Sequence, residues 1–585
     1  MASLPSPPTP GEIRRLVDVA AGRAPADLVV RGGKVVNVFT EEIQAGLGVA
    51  VVGDRIAAVA PEQKEWFGPD TQVVEAAGAY LIPGLIDAHT HLDSIFQLST
   101  YSPLALATGN TTAVTETAMI AGAVGARGVE WLLAEAGQVR MRIAHLAPPL
   151  VPPFPEFETS AGMNLEEFSA ILSKDGCVGV GEIYWPAVTQ GQQRVYEEIA
   201  LALERGLSVE GHAAGAKGSK LVAYKAAGIT ACHEAITAEE ALERLRLGMA
   251  VEVREGMIRR EMQALVPALK QFSDGVMLVS DLAPLEWLAE ARGVINPLLA
   301  RAVELGVAPA RAVRWVTLNP ARHFGMSSLG AIAPGYAADM VVVEELNEFK
   351  AAVVILGGEV VAGEDRELST CPTWRYPPEA YNTITAPIPA PEELRISARG
   401  PQAKLRVIQL DGPTITRLGE VLVKVKDSQV EPDPAADVLK LVHIQRQGKG
   451  IGVGFVRGTG LKRGAVGTTL IWDTCNMLII GTSDEEIVAA AAQLKAMGGG
   501  LVAVSGEEVV ARVPLPICGI ISPDPVQEII RQLQVWRQAL KELGWKAPRA
   551  FLTMQTLAFT GLPFVRLTDK GLVDVRKGEV MEVVA

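Results

Sequence analysis

Residues 81–93 read Leu81-Ile82-Pro83-Gly84-Leu85-Ile86-Asp87-Ala88-His89-Thr90-His91-Leu92-Asp93. The apolar run at the start predicts a buried strand, in which every second side chain points to the same face. His89 and His91 would then share a face, and at the C-terminal mouth of a barrel two such imidazoles form half of a metal site. A chance pair of surface histidines explains the stretch equally well on its own, so the rest of the chain decides.

Short apolar strands alternate with helical segments from about residue 81 to residue 325. This alternation is typical of βα units, which form a parallel sheet or a barrel. Besides the opening stretch, seven strands are predicted to end within residues 112–116, 141–146, 178–182, 207–212, 228–233, 249–254 and 276–281. Eight strands in a segment of this size match a (β/α)8 barrel, which we assign to residues 81–326.

Strand-rich segments flank the barrel on both sides. Short strands and a hairpin are predicted within residues 27–38, 49–59, 338–343 and 353–361. The apolar pattern after the barrel repeats the pattern before it. We therefore predict one small β domain built from both sides of the barrel, with residues 1–80 and 327–364 as its two parts.

The remainder of the chain reads as a linker and a further domain. Residues 365–400 are rich in proline and polar groups, which is a linker composition. In the C-terminal α+β domain that we assign to residues 401–585, the glycine-dense segment 448–467 matches no phosphate-binding fingerprint and predicts tight β turns. Apolar residues at helical spacing within 526–543 predict a core helix rather than a docking surface. The predicted fold class is therefore α/β, with a (β/α)8 barrel, a small flanking β domain and a C-terminal α+β domain.

The composition argues against several classes of function. The net charge of −13 over 585 residues is unlike the basic face of a nucleic-acid-binding protein. The five cysteines include no CxxC pair, which is typical of a reducing compartment. The first residues carry no apolar signal-peptide core, and no uncharged apolar run approaches the ~18 residues that span a bilayer. We expect a cytoplasmic protein with no nucleic-acid partner and no membrane partner.

Side chains that can bind metal stand at the ends of the predicted strands. Four of the seven histidines and two carboxylates do so, namely His89, His91, Glu182, His212, His233 and Asp281. Each position alone is compatible with a structural role. Six suitable ligands at the mouth where the catalytic groups of this fold lie predict a metal centre instead.

This ligand set has a defined chemistry. Four imidazoles and two carboxylates suffice for two divalent ions, with one carboxylate bridging them. A metal held in this way lowers the pKa of its water and makes hydroxide available near neutral pH. A carboxylate beside the metal can take the proton and return it to a leaving group. The residues therefore predict a metal-assisted hydrolase acting on a C–N bond or a similar electrophile, and they leave the substrate open.

Several motifs resemble a known family. The first segment resembles the opening signature of the amidohydrolase superfamily, in Pro83-Gly84-Leu85-Ile86-Asp87-Ala88-His89-Thr90-His91. Further barrel segments resemble the adenine deaminase family within it, in Gly179-Val180-Gly181-Glu182, Gly211-His212-Ala213-Ala214-Gly215, Cys232-His233-Glu234 and Arg254-Glu255-Gly256. The C-terminal domain is similar to that family in Gly452-Val453-Gly454-Phe455, Pro514-Leu515-Pro516-Ile517 and Leu567-Thr568-Asp569-Lys570-Gly571-Leu572. The resemblance runs from residue 27 to about residue 579.

The resemblance implies a site with two metal ions, manganese or ferrous iron, with zinc as an alternative. Its ligands would be His89, His91, Glu182, His212, His233 and Asp281. Glu182 would bridge the ions, and Asp281 would also be the catalytic proton shuttle. The substrate would be the purine base adenine, attacked at C6 to give hypoxanthine and ammonia in purine salvage and adenine catabolism. We expect the enzyme to be a homo-oligomer.

Glu234 directly follows the predicted ligand His233. The resemblance makes Glu234 a candidate catalytic residue that forms a hydrogen bond with a purine nitrogen. Orientation of His233 by the Glu234 carboxylate explains the position equally well. Both interpretations stay open at this stage.

Three segments depart from the typical family pattern. Asp-Pro-His-Glu is replaced by Glu116-Thr117-Ala118-Met119, Asp-Asp-Arg-His-Pro by Asp281-Leu282-Ala283-Pro284, and His-Asp-Ser-His-Asn by Trp472-Asp473-Thr474-Cys475-Asn476. We expect these changes to remove polar groups near the site while leaving the six ligands intact. A pocket with fewer hydrogen-bonding groups discriminates differently among substrates. One alternative is therefore the same chemistry on another purine, a pterin or a cyclic amide. Another is a metal-binding homologue without turnover.

Overall fold

A computed structural model describes residues 4–363, 371 and 374–585. Predictions that fall on residues 1–3, 364–370 and 372–373 lie outside the described residues, and these include part of the expected linker. Across the described ranges, no helix is long and apolar enough to cross a membrane.

The N-terminal segment forms one helix and seven strands. Helix α1 (Pro10–Ala20) is capped by Thr9, whose hydroxyl accepts a hydrogen bond from the backbone N–H of Glu12. The strands are β1 (Leu28–Arg31), β2 (Lys34–Asn37), β3 (Glu42–Ala45), β4 (Gly48–Val52), β5 (Arg55–Ala60), β6 (Gln72–Glu75) and β7 (Tyr80–Pro83). Four of them form a sheet in the order β5-β4-β1-β6, whereas β2, β3 and β7 belong to a second sheet. The turn between β1 and β2 therefore passes from one sheet to the other.

The barrel predicted from the sequence is confirmed. The next strands are β8 (Leu85–Thr90), β9 (Ile95–Phe96), β10 (Asn110–Thr115), β11 (Arg142–Ala147), β12 (Cys177–Tyr184), β13 (Ser208–His212), β14 (Ala231–Cys232), β15 (Ala250–Arg254) and β16 (Val276–Val279). All except β9 form one sheet in the order β16-β15-β14-β13-β12-β11-β10-β8, with parallel pairing throughout. The two end strands meet where the amide of Asp281 donates to the carbonyl of His89 at 3.1 Å, so the barrel is nearly closed.

The stretch at residues 81–93 is not one strand, as the sequence suggested, but two. Strand β7 lies in the small β domain, and β8 opens the barrel. The chain passes between them at Gly84, where a Cβ atom would lie 2.3 Å from Oγ1 of Thr111. Only a residue without a side chain fits so close to β10. The stretch therefore joins the two domains as well as starting the barrel.

Helices surround the barrel and bury their apolar sides against it. They are α2 (Leu98–Ala107), α3 (Ala118–Val124), α4 (Ala126–Ala136), α5 (Leu165–Leu172), α6 (Trp185–Thr189), α7 (Gln193–Glu204), α8 (Ser219–Ala226), α9 (Ala238–Arg246), α10 (Met262–Leu269), α11 (Leu285–Ala289), α12 (Asn296–Glu304), α13 (Pro309–Trp315) and α14 (Leu318–His323). In α7, for example, Val195, Ile199 and Ala202 are buried at the spacing of one helical face.

Strands from after the barrel complete the small β domain. They are β17 (Met340–Val343), β18 (Ala351–Leu356) and β19 (Glu359–Gly363). They extend the second N-terminal sheet to six strands in the order β19-β18-β17-β7-β2-β3. This confirms the prediction that one small β domain is built from segments before and after the barrel.

The C-terminal region is rich in strands. These are β20 (Ile396–Ser397), β21 (Gln402–Leu410), β22 (Thr416–Lys426), β23 (Gln429–Val430), β24 (Val438–Ile444), β25 (Ile451–Arg457), β26 (Ala465–Thr468), β27 (Met477–Gly481), β28 (Gly500–Ser505), β29 (Glu508–Pro514), β30 (Ile521–Ser522), β31 (Val565–Thr568), β32 (Gly571–Asp574) and β33 (Glu579–Met581). Strands β20 to β29 form one sheet, and β30 pairs with β9 beside the barrel. The helices are α15 (Asp484–Ala496), α16 (Val526–Glu542) and α17 (Ala550–Leu557). Helix α16 packs its apolar stripe into the core, as predicted.

The described part of the expected linker packs against its neighbours. The hydroxyl of Tyr376 donates a hydrogen bond to Glu135 at 2.8 Å, and both residues are buried. Short 3-10 helices occupy Pro378–Ala380 and Pro391–Leu394. The proline-rich composition therefore identifies the segment that connects two domains. Residues 374–400 of this segment are nevertheless held in place by buried contacts.

Candidate metal centre at the barrel mouth

All six predicted ligands lie at the carboxyl ends of barrel strands. His89 lies in β8, Glu182 in β12 and His212 at the end of β13. His91 directly follows β8, His233 directly follows β14, and Asp281 lies two residues after β16. Five are buried, and the Glu182 side chain is 11% exposed. Parallel strands of a barrel end on one side, so side chains far apart in the sequence meet at that rim.

Glu182 lies at the centre of this group. Its Oε1 is 3.1 Å from Nε2 of His89 and 3.5 Å from Nε2 of both His91 and His233. On the other side, Oδ1 of Asp281 is 3.3 Å from Nε2 of His91 and 3.7 Å from Nε2 of His89. The six side chains make two sets whose ligand atoms lie within 4.8 Å of one another, namely His89, His91 and Asp281, and Glu182, His212 and His233.

The backbone around Asp281 is held in an uncommon conformation. Asp281 and Leu282 have φ angles of 45° and 69°, a region that residues other than glycine seldom occupy. Hydrogen bonds hold both ends, because the Asp281 amide donates to His89 and the Leu282 carbonyl accepts from Met257 at 2.8 Å. A Cβ atom at Gly256 would lie 1.7 Å from the Ser280 carbonyl oxygen, so glycine is required there. This turn directs the Asp281 carboxylate toward the histidines.

The donor set fits a divalent metal. Both ring nitrogens of His89, and Nδ1 of His91 and His212, are buried and have no hydrogen-bond partner within the described chain. Buried polar atoms are normally paired, so four such nitrogens in one place call for a partner from outside the protein. Imidazole and carboxylate ligands suit zinc, manganese and iron.

An arginine holds the acidic groups of the site in the ionised form. The Arg254 guanidinium at the end of β15 donates hydrogen bonds to Glu234 and to Oδ2 of Asp281, the latter at 3.2 Å. Burial alone would raise the pKa of Glu234, but Arg254 and the neighbouring imidazoles hold it at about 2. Burial is likewise outweighed at Asp281, whose pKa is lowered by its hydrogen bond to His91 and by the charge of Arg254. Both carboxylates are therefore acceptors at neutral pH.

Glu234 contacts two of the predicted ligands. Its Oε1 lies 3.4 Å from Nε2 of His212 and 3.5 Å from Nε2 of His233. The side chain also lines the cavity at the barrel mouth. Its position is thus compatible with both earlier interpretations, contact with substrate and orientation of a histidine.

The C-terminal domain forms the outer wall of the cavity. Its Trp472 ring lies 5.2 Å from the His91 ring, and its Phe559 ring lies 5.9 Å from the His212 ring. Asp473 lines the same cavity and accepts a hydrogen bond from Tyr184. The wall therefore combines two aromatic faces with one buried carboxylate.

The three segments that depart from the family pattern lie at different distances from the site. Ala118, Met119 and Trp472 line the cavity, where they provide apolar surface as expected. Glu116 lines it as well, so the expected loss of polar groups is wrong at that position. Cys475 is buried away from the cavity, with its Sγ 3.2 Å from the carbonyl oxygen of Met119.

Sequence reasoning gave no role in the site to several polar residues of the cavity, among them Glu116, Tyr184, Arg254 and Asp473. Glu116 and Arg254 end predicted strands, so the signal that identified the six ligands was present for them too. Tyr184 comes two residues after Glu182 on the same strand. Asp473 lies in a segment that the comparison with the family pattern had marked, but its contact with the barrel comes from the other domain and has no signal in the sequence around it.

Known proteins are similar to both the barrel and the C-terminal domain of this chain. Residues 80–361 match the model of the amidohydrolase family, and residues 413–579 match the model of the adenine deaminase C-terminal domain. An adenine deaminase of Moorella thermoacetica is 37% identical over 98% of this chain and 98% of its own. One of Kosmotoga olearia is 34% identical over 96% of this chain and 97% of its own. Among solved structures, that of an adenine deaminase has a TM-score of 0.44 and 15% identity, covering 57% of this chain and 99% of the other.

Proposed function

Because this chain belongs to the adenine deaminase family, we propose that it hydrolyses adenine to hypoxanthine and ammonia at a divalent-metal centre. The observation that carries the proposal is the position of Glu182, whose Oε1 lies within 3.5 Å of three imidazoles. A carboxylate oxygen shared among several imidazoles is suited to bridging two cations. The chain is accordingly a hydrolase of C–N bonds.

The proposed ligands are His89, His91, Glu182, His212, His233 and Asp281. Two ions per chain are supported by the division of these residues into two sets of three. We propose manganese or ferrous iron, with zinc as the alternative, since mixed nitrogen and oxygen ligands suit all three. When bound, such a metal supplies a water whose pKa is lowered to near neutrality.

Asp281 is the proposed proton shuttle. Arg254 keeps its carboxylate ionised, so Asp281 can accept the proton of the attacking water. It then returns that proton to the amino group leaving C6. One water adds and one ammonia departs, which balances the conversion of adenine to hypoxanthine.

Glu234 is the proposed contact to the purine ring. Its low pKa makes it an acceptor, so it would bind a ring nitrogen that carries hydrogen. Arg254 and the imidazoles hold the carboxylate in place at the edge of the cavity. The aromatic faces of Trp472 and Phe559 support a planar ring as the ligand.

One observation favours a second candidate, the same chemistry on another purine, a pterin or a cyclic amide. Ala118, Met119 and Trp472 line the cavity where the typical family pattern has polar side chains. A pocket lacking those groups would accept rings with fewer polar substituents than adenine. Adenine remains the first candidate because the family membership extends over the full chain.

We further propose that the enzyme acts on free purine bases in the cytoplasm, in purine salvage. The net charge of −13 supports the absence of a nucleic-acid partner. Exposed apolar side chains on and beside β22, Ile415, Leu418 and Leu422, support association into a homo-oligomer. We propose the domain boundaries given above, except that residues 81–83, which lie in β7, belong to the small β domain and not to the barrel.

A panel of heterocycles tests the proposal. Chelator-treated protein is reloaded with Mn²⁺, Fe²⁺ or Zn²⁺ and given adenine, other aminopurines, pterins and cyclic amides, while ammonia is measured. Adenine should turn over best, by orders of magnitude. A different ring with the highest kcat/KM would select the second candidate, and no product from any ring would contradict both.

A further inference from the structure

Glu116 is a buried carboxylate beside the candidate metal centre that the ligand set above does not include. It directly follows β10, is fully buried and lines the cavity. Its Oε1 lies 3.9 Å from Nδ1 of His89. Glu116, His89 and Glu182 can each offer one ligand atom, and these three atoms lie within 4.8 Å of one another.

Gly181 makes room for this carboxylate. A Cβ atom at position 181 would lie 2.1 Å from Oε2 of Glu116 and 3.0 Å from its Cδ. Any other residue there would displace the Glu116 side chain. Because Gly181 immediately precedes Glu182 on β12, the same strand that carries the central ligand also opens the space for Glu116.

The Glu116 carboxylate lacks a hydrogen-bond partner in the part of the chain that the structure describes, and this is true of both its oxygens. Two other buried acids of the barrel are paired, since Asp87 accepts from Ser280 at 2.5 Å and Glu210 lies 2.8 Å from His323. Glu252 resembles Glu116 instead, because neither of its carboxylate oxygens has a hydrogen-bond partner among the described residues. A buried carboxylate without a partner is costly unless it is neutral or binds a cation. The position of Glu116 beside two predicted ligands favours the cation.

We propose that Glu116 is a third carboxylate ligand of the metal centre, in addition to Glu182 and Asp281. The inference rests on the proposed metal centre but not on adenine as the substrate. An added carboxylate oxygen is a hard ligand in the sense of hard and soft Lewis bases. It therefore favours manganese or ferrous iron over zinc.

A positioning role through His89 is the competing explanation. Carboxylates often orient a metal-bound histidine by accepting a hydrogen bond from its second ring nitrogen. The 3.9 Å between Glu116 and Nδ1 of His89 is too long for that bond. The two roles also differ in a measurable way, because the loss of a ligand alters the coordination number of the metal and so changes its electronic spectrum at saturation far more than the loss of a positioning group.

Glu252 provides a matched control. It is also a glutamate, is 1% exposed and has neither carboxylate oxygen hydrogen-bonded within the described residues. Its Oε2 lies 3.9 Å from Nδ1 of His233, the same distance that separates Glu116 from His89. The difference is that Glu252 does not line the cavity. One ligand atom each of Glu252, His89 and His233 also lie within 4.8 Å of one another. Glu252→Gln therefore tests whether any buried glutamate beside a ligand histidine gives the effect, or only the one that lines the cavity.

The experiment is a titration of the metal-free protein with Co²⁺, followed by its visible absorption. Wild type, Glu116→Gln and Glu252→Gln are compared for affinity and for the spectrum at saturation. Glu116→Gln should bind Co²⁺ about 100-fold more weakly or worse, and its saturated spectrum should change in position and intensity. Glu252→Gln should keep the wild-type spectrum.

A wild-type spectrum in saturated Glu116→Gln would overturn the proposal, as would the same spectral change in both variants. Should Glu116→Gln not fold, Glu116→Asp decides by the same criterion, because it keeps the charge but shortens the reach. No substrate is present in the titration. The result therefore stands whether or not adenine proves to be the substrate, and failure of one proposal is distinguishable from failure of the other.

Discussion

The hydroxyl of Tyr184 donates a hydrogen bond to Asp473, at 3.0 Å from Oδ1 and 3.2 Å from Oδ2. Tyr184 ends barrel strand β12, two residues after Glu182, whereas Asp473 belongs to the C-terminal domain. Burial raises the pKa of Asp473 to about 7, although the hydrogen bond from Tyr184 opposes the shift. One contact thus links the strand that carries Glu182, the central proposed ligand, to the domain that closes the cavity.

Tyr184→Phe removes this link and should act on both stability and catalysis. The loss of one hydrogen bond to a buried carboxylate should lower the free energy of unfolding by about 1–3 kcal/mol, measured by urea denaturation. kcat/KM for adenine should fall as well, because Asp473 lines the cavity. Tyr376→Phe is the matched control, since it breaks a buried bond to Glu135 and neither residue lines the cavity. If Tyr184→Phe kept the wild-type kcat/KM, the hydrogen bond between Tyr184 and Asp473 would have no role in catalysis.

Asp281→Asn should abolish proton transfer while keeping the fold. Asparagine matches aspartate in shape but cannot accept the proton, so we expect kcat to fall by about 100- to 10,000-fold. Metal content is measured on the same sample, because Asp281 is also a proposed ligand. A fully loaded variant with unchanged kcat would assign the proton transfer to another group. Robust wild-type turnover that disappears in this variant would also dispose of the non-catalytic alternative.

Trp472→Leu should weaken binding of a planar ring. An aromatic pair contributes about 0.5–1.5 kcal/mol beyond the area that it buries, so KM should rise about 2- to 12-fold, with a smaller change in kcat. Trp131→Leu on α4 is the control, because its ring lies against Arg127 and outside the cavity. Equal KM values for the two variants would show that Trp472 does not contact the substrate.

Glu198 should make stability depend on pH. It is fully buried on α7, where it accepts hydrogen bonds from the amide of Leu150 at 3.0 Å and from Arg194 at 2.7 Å. Burial outweighs these bonds and raises its pKa from 4.5 to about 7. Between these two values the folded protein keeps a proton that the unfolded chain releases. The contribution is therefore fully present below pH 4.5 and is lost as the pH rises through 7.

Glu198→Gln removes this dependence. The free energy of unfolding of wild type relative to the variant should fall by about 3 kcal/mol from pH 4.5 to above pH 7, in denaturation curves taken across that range. Glu204→Gln, on the exposed side of the same helix, controls for the loss of one charge. If the free energy of unfolding depended on pH in the same way in wild type and in Glu198→Gln, the raised pKa of Glu198 would be contradicted.

The barrel could be predicted, and the six proposed ligands could be placed at its mouth, because the relevant signals are local. Each parallel strand shows as a short apolar run, and the fold brings its final residue to the common rim. His212, His233 and Asp281 were found in this way without knowledge of any contact. Glu116 carried the same signal, but a carboxylate is interpreted as a ligand only when the space beside it is known, and Gly181 provides that space.

Contacts between domains could not be predicted in the same way. Tyr184 and Asp473 are 289 residues apart, and no periodicity relates them. The division at Gly84 was hidden for a similar reason, because β7 and β8 are both apolar and only their pairing partners distinguish them. Pairing of β7 with β17 depends on a segment that follows the whole barrel. Sequence patterns thus predict individual strands and helices, whereas the strands and residues with which they pair are known only from the assembled fold.

The most direct test of the account measures metal content and ammonia release together, in wild type and Glu182→Gln. Wild type loaded with Mn²⁺ should convert adenine to hypoxanthine with one ammonia per adenine consumed. Glu182→Gln should bind less metal and release essentially no ammonia, because its central carboxylate is lost. Fully metal-loaded wild type that releases no ammonia from adenine, or a Glu182→Gln variant as active as wild type, would contradict the account.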